Sequence, residues 1–441
     1  MPAVGEHRSA GPEAKGTTMA SGPLNGVRIL EFTQIIAGPM SCQMLSDLGA
    51  EVIKVEPPQG EPWRLQGQFV PLESKVFQAL NRGKRSLAID VAHPKAREAI
   101  HRLVAETDVI VINYRPDVAA RLHIDYDTVR PLKPDLVYVD NTAFGRAGPW
   151  ANRPGYDIVV QAASGLMSSV GKVDEKGTPV VPPAFADFTT AYAIAIGTCA
   201  ALFHRALTGQ GQKVETSLLI NALNLQQGQV MSLPAADAAQ KASFMEALTT
   251  ARASGTSYAD FLKQRDGILR AGAAGNIYYR SYLTQDGAFA IGALSASLRA
   301  KVRAVLAVEH NRDEPGYNAG DPEQQRIDLA LTERVEAMIR AHTTAYWEQR
   351  FEQGGVPVSP VYFAQELETH PQVLANDYLV HLEHDLTGPQ TMLAPPWKMS
   401  ETPPAAQSAA PPLGRDTDAI LGSVGYSPDE IATLRADGIV R

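Results

Sequence analysis

A chain of 441 residues, 44% of them hydrophobic, carries enough apolar material for a large core and about two domains. Its 40 lysines and arginines against 48 aspartates and glutamates leave a net charge of −8, which argues against nonspecific binding to nucleic acid or to an anionic membrane surface. Only Cys42 and Cys199 are present, both in apolar helical contexts; this is no disulfide framework, and the expectation is a reducing, cytoplasmic setting.

Residues 1–22 lack the basic start and apolar run of a secretory signal and read as a disordered tail, with Met19 as a second candidate start. Val27–Phe32 is a short apolar strand, Gly38–Leu48 a helix stopped by Gly49, and Glu51–Glu56 a second strand. Strand, helix and strand in about thirty residues make a βαβ unit and predict a parallel sheet. Strand Ser86–Asp90, helix Pro94–Glu106 and strands Asp108–Tyr114 and Leu136–Asn141 continue the pattern. The expected fold is α/β, a doubly wound Rossmann-like domain whose ligands lie beyond the carboxyl ends of its strands. Gly38-Pro39 has no G-x-G-x-x-G around it, so neither a nicotinamide nor a flavin cofactor is expected.

Gly145–Gly165, which contains Arg153-Pro-Gly-Tyr-Asp157, reads as loop running into a helix. A proline-stiffened approach from Pro179 then passes through one carboxylate, Asp187, into an almost wholly apolar run of small residues to Leu202. Asp187 stands where a helix N-cap belongs, and a helix apolar all round is a buried one. The dipole there favours an ionised carboxylate, as an aspartate nucleophile requires. The plainer reading is a cap and nothing more. The 191–203 segment is too short to span a bilayer of about 30 Å, so no membrane partner is expected.

Thr208–Gln212 is a tight turn before strand Lys213–Thr216 and an apolar helix from Leu218 to Met231. Between 233 and 275, Ala, Ser, Lys and Asp crowd together with few large apolar residues, which suggests a linker and the edge of a second domain. Ser281–Leu283 and Ala288–Ile291, joined by Thr284-Gln-Asp-Gly287, read as a β-hairpin, followed by helices Arg326–Ala341 and Thr344–Glu352. From Val356 the chain is punctuated by proline and is expected to wrap over a surface before a last helix, Pro428–Arg435.

G-x-S-x-G, Walker A and H-E-x-x-H patterns are all missing. His381 and His384 suggest no third ligand, so a solvated loop is expected there and no metal. Arg82-Gly-Lys84-Arg85 suits a polyphosphate, though taken alone an exposed cationic turn is the plainer explanation. Asn113-Tyr114-Arg115 ends a strand where the α/β rule puts ligands, and Arg121 follows it. Together these favour a bulky anionic cofactor.

Leu24-Asn-Gly-Val-Arg-Ile-Leu-Glu-Phe-Thr33, Ala37-Gly-Pro39 and Leu48-Gly-Ala-Glu-Val-Ile-Lys-Val-Glu-Pro57 resemble the start of class III CoA-transferases, a family that includes α-methylacyl-CoA racemases. The likeness continues in order through Asn81–Asp90, Asn113-Tyr114, Arg153–Asp157 with Gln161, Ala186–Thr190, Thr208–Gln212, Gly355–Pro360 and Leu413–Thr417. The resemblance implies that Asp187 is the nucleophile of a transferase that moves CoA from an acyl-CoA to a free carboxylic acid, through aspartyl anhydride and aspartyl-CoA thioester intermediates. It places Ile36, Ala37, Lys84, Asn113, Tyr114, Arg121, Arg153 and Tyr156 around coenzyme A. It also implies an interlinked homodimer of open-ring chains. The divisions expected on this basis are a tail at 1–22, the first part of the large α/β domain at 23–232, linker and small α+β domain at 233–355, and a return to the large domain at 356–441.

In the racemase branch a histidine stands at the position of Tyr156, and a phenol with a pKa near about 10 is a poor proton shuttle at neutral pH, which favours a transferase. The same fold also admits a CoA-ester lyase that uses the same covalent step, and a silent CoA-binding protein. The retained Asp187 argues against the silent binder, which would not need that carboxylate. Three departures bear on specificity. Ile36 replaces the glutamine that precedes Ala-Gly-Pro in formyl-CoA transferase, with Gln34 two residues earlier. Ala271–Asn276 holds two glycines where that enzyme has a glycine run closing over the intermediates, and Ala191 replaces a usual glycine. An oxalate–formate specificity is therefore not expected, and Ile36 suits a larger, partly apolar acid.

Overall fold

The structure, a computed structural model, describes residues 22–269 and 276–441. The expected tail, apart from Gly22, and the glycine-loop candidate Ala271–Asn276, apart from Asn276, lie outside the described residues. The chain divides into two units, the first made of residues up to Ser164, Pro183–Leu225 and Asp377–Arg441, the second of Gly165–Pro182 and Gln226–Asn376.

The first unit is built on six strands, β1 (Arg28–Phe32), β2 (Glu51–Glu56), β3 (Lys84–Ala88), β4 (Val109–Ile112), β5 (Val137–Thr142) and β6 (Lys213–Ser217). They lie in the order β3-β2-β1-β4-β5-β6, and every pairing is parallel. Such sheets are covered on both faces, which is why β4 reads Val-Ile-Val-Ile with all four residues buried. The order reverses direction between β1 and β4, and the crevice at that switch point is where open α/β sheets bind ligands.

Helix α1 (Ala37–Asp47) joins β1 to β2, and α2 (Pro94–Ala105) joins β3 to β4. Ala96, Ala99, Ile100, Leu103 and Val104 repeat at helical spacing and bury α2 against Leu30, Ile53, Leu87 and Ile110 of the strands. Three further helices frame the second half: α3 (Pro116–Arg121), α4 (Asp157–Ala163) and α5 (Phe185–Thr208). At 24 residues α5 is longer than the sequence suggested, and by length and composition it would cross a membrane, yet half of its most apolar window is buried inside the unit. It packs along α1 and over β5 and β6. Cys42 of α1 is buried, whereas Cys199 of α5 is only partly so.

The end of the chain closes the sheet edge at β3. Ser86 donates its N–H to the Asp416 carboxylate at 2.8 Å, Asp90 to the Ile439 carbonyl at 2.8 Å, and Arg441 to the Ala88 carbonyl at 3.1 Å. Ile420, Leu421, Ile431 and Leu434 fill the core below. The proline-rich return is more regular than expected: Leu379–His384 and Gly388–Leu393 pair as an antiparallel hairpin. His384 is no loop residue but is buried, its Nδ1 accepting N–H groups of Leu386 and Thr387 at 3.1 and 3.2 Å.

In the second unit, helices Pro234–Ser254 and Tyr258–Leu269 stand where a linker was expected. Alanine-rich sequence with Pro234 in its first turn and Gly255 as a left-handed cap forms helix by propensity, without the large apolar residues that pattern reading relies on. Strands Tyr279–Leu283, Ala288–Gly292 and Val358–Pro360 make a small antiparallel sheet, and its hairpin is the expected one. Helices Ala296–Leu306, Pro322–Arg340 and Thr344–Gln353 pack with it around Phe289, Val335, Trp347 and Phe351.

Candidate active site

Asp187 is the third residue of α5, inside the first turn, and not the N-cap, which is Ala184. The backbone N–H of Asp187 is taken instead by Asp157 at the start of α4, whose Oδ1 accepts it at 3.0 Å. Gln161, one turn along α4, donates to the other oxygen of Asp157 and to the Pro183 carbonyl at 2.9 Å. The capping contact thus leaves the Asp187 side chain free for other work.

That side chain is 7% exposed and faces α1. The N-cap position of α1 is Ile36, whose side chain has no oxygen to offer the orphan N–H groups of the first turn. The Ala37 N–H binds the Asp187 carboxylate instead, so one buried carboxylate sits in the first turn of its own helix and at the N-terminus of another. Burial, and then the nearby charge of Asp157, push Asp187 up to about 7 against the pull of the Ala37 N–H. The sequence pointed to a fully ionised carboxylate at neutral pH; desolvation makes it a group that titrates there.

The turn delivering Ala37 is held under strain. Ile35 has φ 73°, a conformation unusual for a β-branched residue. Its N–H donates to Glu61 Oε2 at 2.8 Å, and the Gln34 peptide is clamped on both sides by Asn113, which accepts its N–H at 3.1 Å and donates to its carbonyl at 2.9 Å. Gly38 completes the approach, since a Cβ there would lie 2.3 Å from the Thr33 side chain.

Behind the turn lies a buried ion cluster. Lys54 reaches Glu61 at 2.9 Å, Glu31 at 3.2 Å and the Thr33 carbonyl at 2.9 Å. Burial alone would lower its ammonium, but Glu31, Glu61 and Glu56 hold it above the usual lysine range. Lys84 belongs to the same cluster: it is buried on β3, 2.8 Å from Glu31, and donates to Pro39 O and Asn81 Oδ1 at 2.9 and 2.8 Å. Lys84, expected beside coenzyme A, thus has its three donors directed to partners inside the protein. Arg82 is likewise buried on Asp47 at 2.7 Å, and Arg85 is paired with Glu51.

A cavity of about 80 Å³ opens on Asp187, lined among others by Gln34, Ile35, Asn113, Asn141 and Tyr156. Gln34 therefore reaches the site, whereas Ile36 is buried at the foot of α1. A Cβ on Gly155 would lie 2.6 Å from that of Ala143, so only glycine lets this wall close. Tyr156 is 58% exposed, and no histidine among the described residues lines the cavity. Tyr114 packs partly against the core, and burial pushes its phenol up to about 12, so it stays a donor. Arg121, in the last turn of α3, is exposed and without an ion-pair partner among the described residues. Arg153 is also exposed and lies over the Trp150 ring at 4.8 Å. A wider cleft of about 840 Å³ in the same unit is lined mainly by apolar groups, including Met40, Met44, Phe69, Phe188 and Tyr192. Among the described residues no group of three or more His, Cys, Asp or Glu is placed to hold a metal ion.

Sequence reasoning named Asp187, Asn113 and Tyr156 but missed Asp157, Glu61, Ile35 and Asn141 as parts of one site. Asn141 carried a signal, being the last residue of an expected strand on the ligand side of the sheet. Glu61 and the geometry of Ile35 carried none.

Residues 24–417 match the family described as CoA-transferase family III. The chain is 31% identical over 425 residues to the human (Homo sapiens) succinyl-CoA:glutarate CoA-transferase, covering 95% of this chain and 90% of that protein. It is 29% identical to the formyl-CoA:oxalate CoA-transferase of Escherichia coli O6:H1, over 94% and 99% of the two chains. A CaiB/BaiF family protein from Brucella suis is similar in structure, with a TM-score of 0.70, 27% identity, and 92% and 100% of the two chains covered.

Proposed function

We propose that this chain, which belongs to CoA-transferase family III, moves CoA from an acyl-CoA thioester to a free carboxylic acid with Asp187 as the covalent nucleophile. One observation carries the reading: among the described residues the only carboxylate lining the cavity is Asp187, buried at the foot of α5 and held by the N–H of Ala37. A carboxylate is a weak nucleophile, and desolvation strengthens it by removing its water while raising its basicity.

In the proposed sequence, an Asp187 oxygen attacks the thioester carbonyl and the C–S bond breaks, giving an aspartyl–acyl anhydride and CoA thiolate. The thiolate attacks the aspartyl carbonyl and expels the first acid, leaving an aspartyl-CoA thioester. The acceptor carboxylate displaces the thiolate to form a second anhydride. Thiolate attack on the acceptor carbonyl then yields the new acyl-CoA and restores the Asp187 carboxylate. No net proton is consumed, consistent with a cavity that offers no imidazole. The Ala37 N–H, which already meets Asp187, is the natural donor to the oxyanion that forms on its carbonyl.

CoA enters this scheme as a substrate. The free cations that suit its phosphates are Arg121 and Arg153, with Tyr114 beside Asn113 on the β4 side; Lys84 acts only through the buried cluster. A cytoplasmic homodimer of interlinked chains belongs to the same reading. The Tyr156 phenol, in place of an imidazole, speaks against racemisation.

The test is mass spectrometry of the intact protein after incubation with a panel of acyl-CoA thioesters, followed by hydroxylamine. A hydroxylamine-labile CoA adduct on the peptide carrying Asp187, lost in Asp187→Ala, is the expected result. Deuterium exchange at the α-carbon of a 2-methylacyl-CoA without any adduct would overturn it.

A further inference from the structure

The cavity beside Asp187 contains one group that the transfer steps leave idle. Asn141, near the carboxyl end of β5, is 3% exposed and lines the cavity, and its Oδ1 is buried with no hydrogen-bond partner. Buried amide oxygens are nearly always paired, so this one marks a place where a bound molecule supplies the missing donor. Neighbouring groups sharpen the chemistry. Thr142 Oγ1 already accepts the Gly145 N–H at 3.0 Å, which leaves its hydroxyl hydrogen to donate. Among the described residues neither lysine nor arginine lines the cavity, and the one ionisable carboxyl group lining it is that of Asp187. A second carboxylate on the acceptor would meet no cation there among the described residues. An apolar substituent would bury Asn141 unpaired. A hydroxyl group answers both demands, giving its proton to Oδ1 and accepting from the amide or from Thr142. A volume of about 80 Å³ holds two or three waters at about 30 Å³ each, so the group read here is short.

We infer that Asn141 is a specificity-determining residue that selects a short acid bearing a hydroxyl group close to the reacting carboxyl. The inference rests on the transfer reading above and names the substrate class for it.

The experiment pairs acids that differ only by that hydroxyl, lactate against propionate and 3-hydroxybutyrate against butyrate, as acceptors from the aspartyl-CoA thioester. In the wild-type protein kcat/KM for at least one hydroxy acid is expected to exceed that of its deoxy partner by about tenfold or more, because a site built to bind a hydroxyl rejects the analogue lacking it. Asn141→Leu, of similar size, brings the ratio close to one by lowering the hydroxy acid alone, and Asn141→Ser restores part of it. The melting temperature reports that each variant is folded, and each acid's rate is taken relative to the amount of CoA loaded onto Asp187, read by mass. If the thioester forms but wild type shows no preference in either pair, or Asn141→Leu lowers both acids equally, the inference fails and the transfer reading survives. If no thioester forms from any donor, both fail together.

Discussion

Replacing Asp187 by Asn is expected to abolish turnover and to stabilise the protein at the same time. An Asn oxygen still accepts the Ala37 N–H, and the buried charge disappears. The folded carboxyl titrates at about 7 against an ordinary 3.8, because burial and then Asp157 oppose its charge. Between those values the native protein keeps a proton that the unfolded chain has released, so this group supports folding below its unfolded pKa and loses that support as pH rises through the folded one. A difference of about 3 units at 1.36 kcal/mol each sets a ceiling on the order of 4 kcal/mol for the cost at pH 8. Urea unfolding of wild type and Asp187→Asn at pH 8 should therefore show the variant more stable by up to that amount. The advantage should shrink steadily toward pH 5. Equal stability of the two proteins across this range, or a gain that grows on acidification, would refute the claim that Asp187 is held against its own ionisation.

The same titration governs rate: formation of the Asp187 adduct should climb with pH around an apparent pKa of about 7, so that at pH 6 it runs roughly tenfold below its plateau; stopped-flow release of CoA measures it, and a flat profile from pH 5 to 8 contradicts the assignment. Asp157→Asn removes the second cause of the shift and should move that profile to lower pH, visible in the same assay. Lys54→Met leaves Glu61 without its cation and Glu31 with Lys84 alone, and should cost about 3–5 kcal/mol in urea unfolding. Lys84→Met and Arg121→Ala should separate cleanly: the first lowers stability with KM for acyl-CoA little changed, the second raises that KM with stability kept, as steady-state kinetics and thermal melting will show. Gly155→Ala should force the cavity wall apart and lower both the melting temperature and kcat/KM, since its Cβ would meet that of Ala143 at 2.6 Å.

The strands of the first unit were legible because each buries both faces, and runs such as Val109–Ile112 admit little else. Their order was not, because nothing local in Ser86 or Val137 says which neighbour it pairs with. Asp187 was conspicuous as the single charge entering an apolar run, but its register within the turn depends on where the prolines before it release the chain. The burial of Lys84 was not legible for a general reason: lysines are rarely buried, and its partner Glu31 lies on a strand two places away in the sheet. The helices between 234 and 269 escaped notice because their alanines encode helix through propensity, while pattern reading looks for large apolar residues. Asn141 was visible as a strand end but not as an unpaired amide, a property that only packing reveals.

The closing of the β3 edge by residues Asp416 to Arg441 has a bearing on how the protein is made. About 150 residues, Gln226–Asn376, are synthesised between the last two of the three segments of the first unit. At about 5–20 residues per second that interval lasts roughly 8–30 s on the ribosome. Throughout it, the growing chain carries the Asp187 site with the outer rim of β3 unpaired, an open invitation to a neighbouring nascent chain on the same message. Slow decoding of the middle segment would prolong that exposure, and chaperone demand during synthesis should track the time taken to reach Arg441.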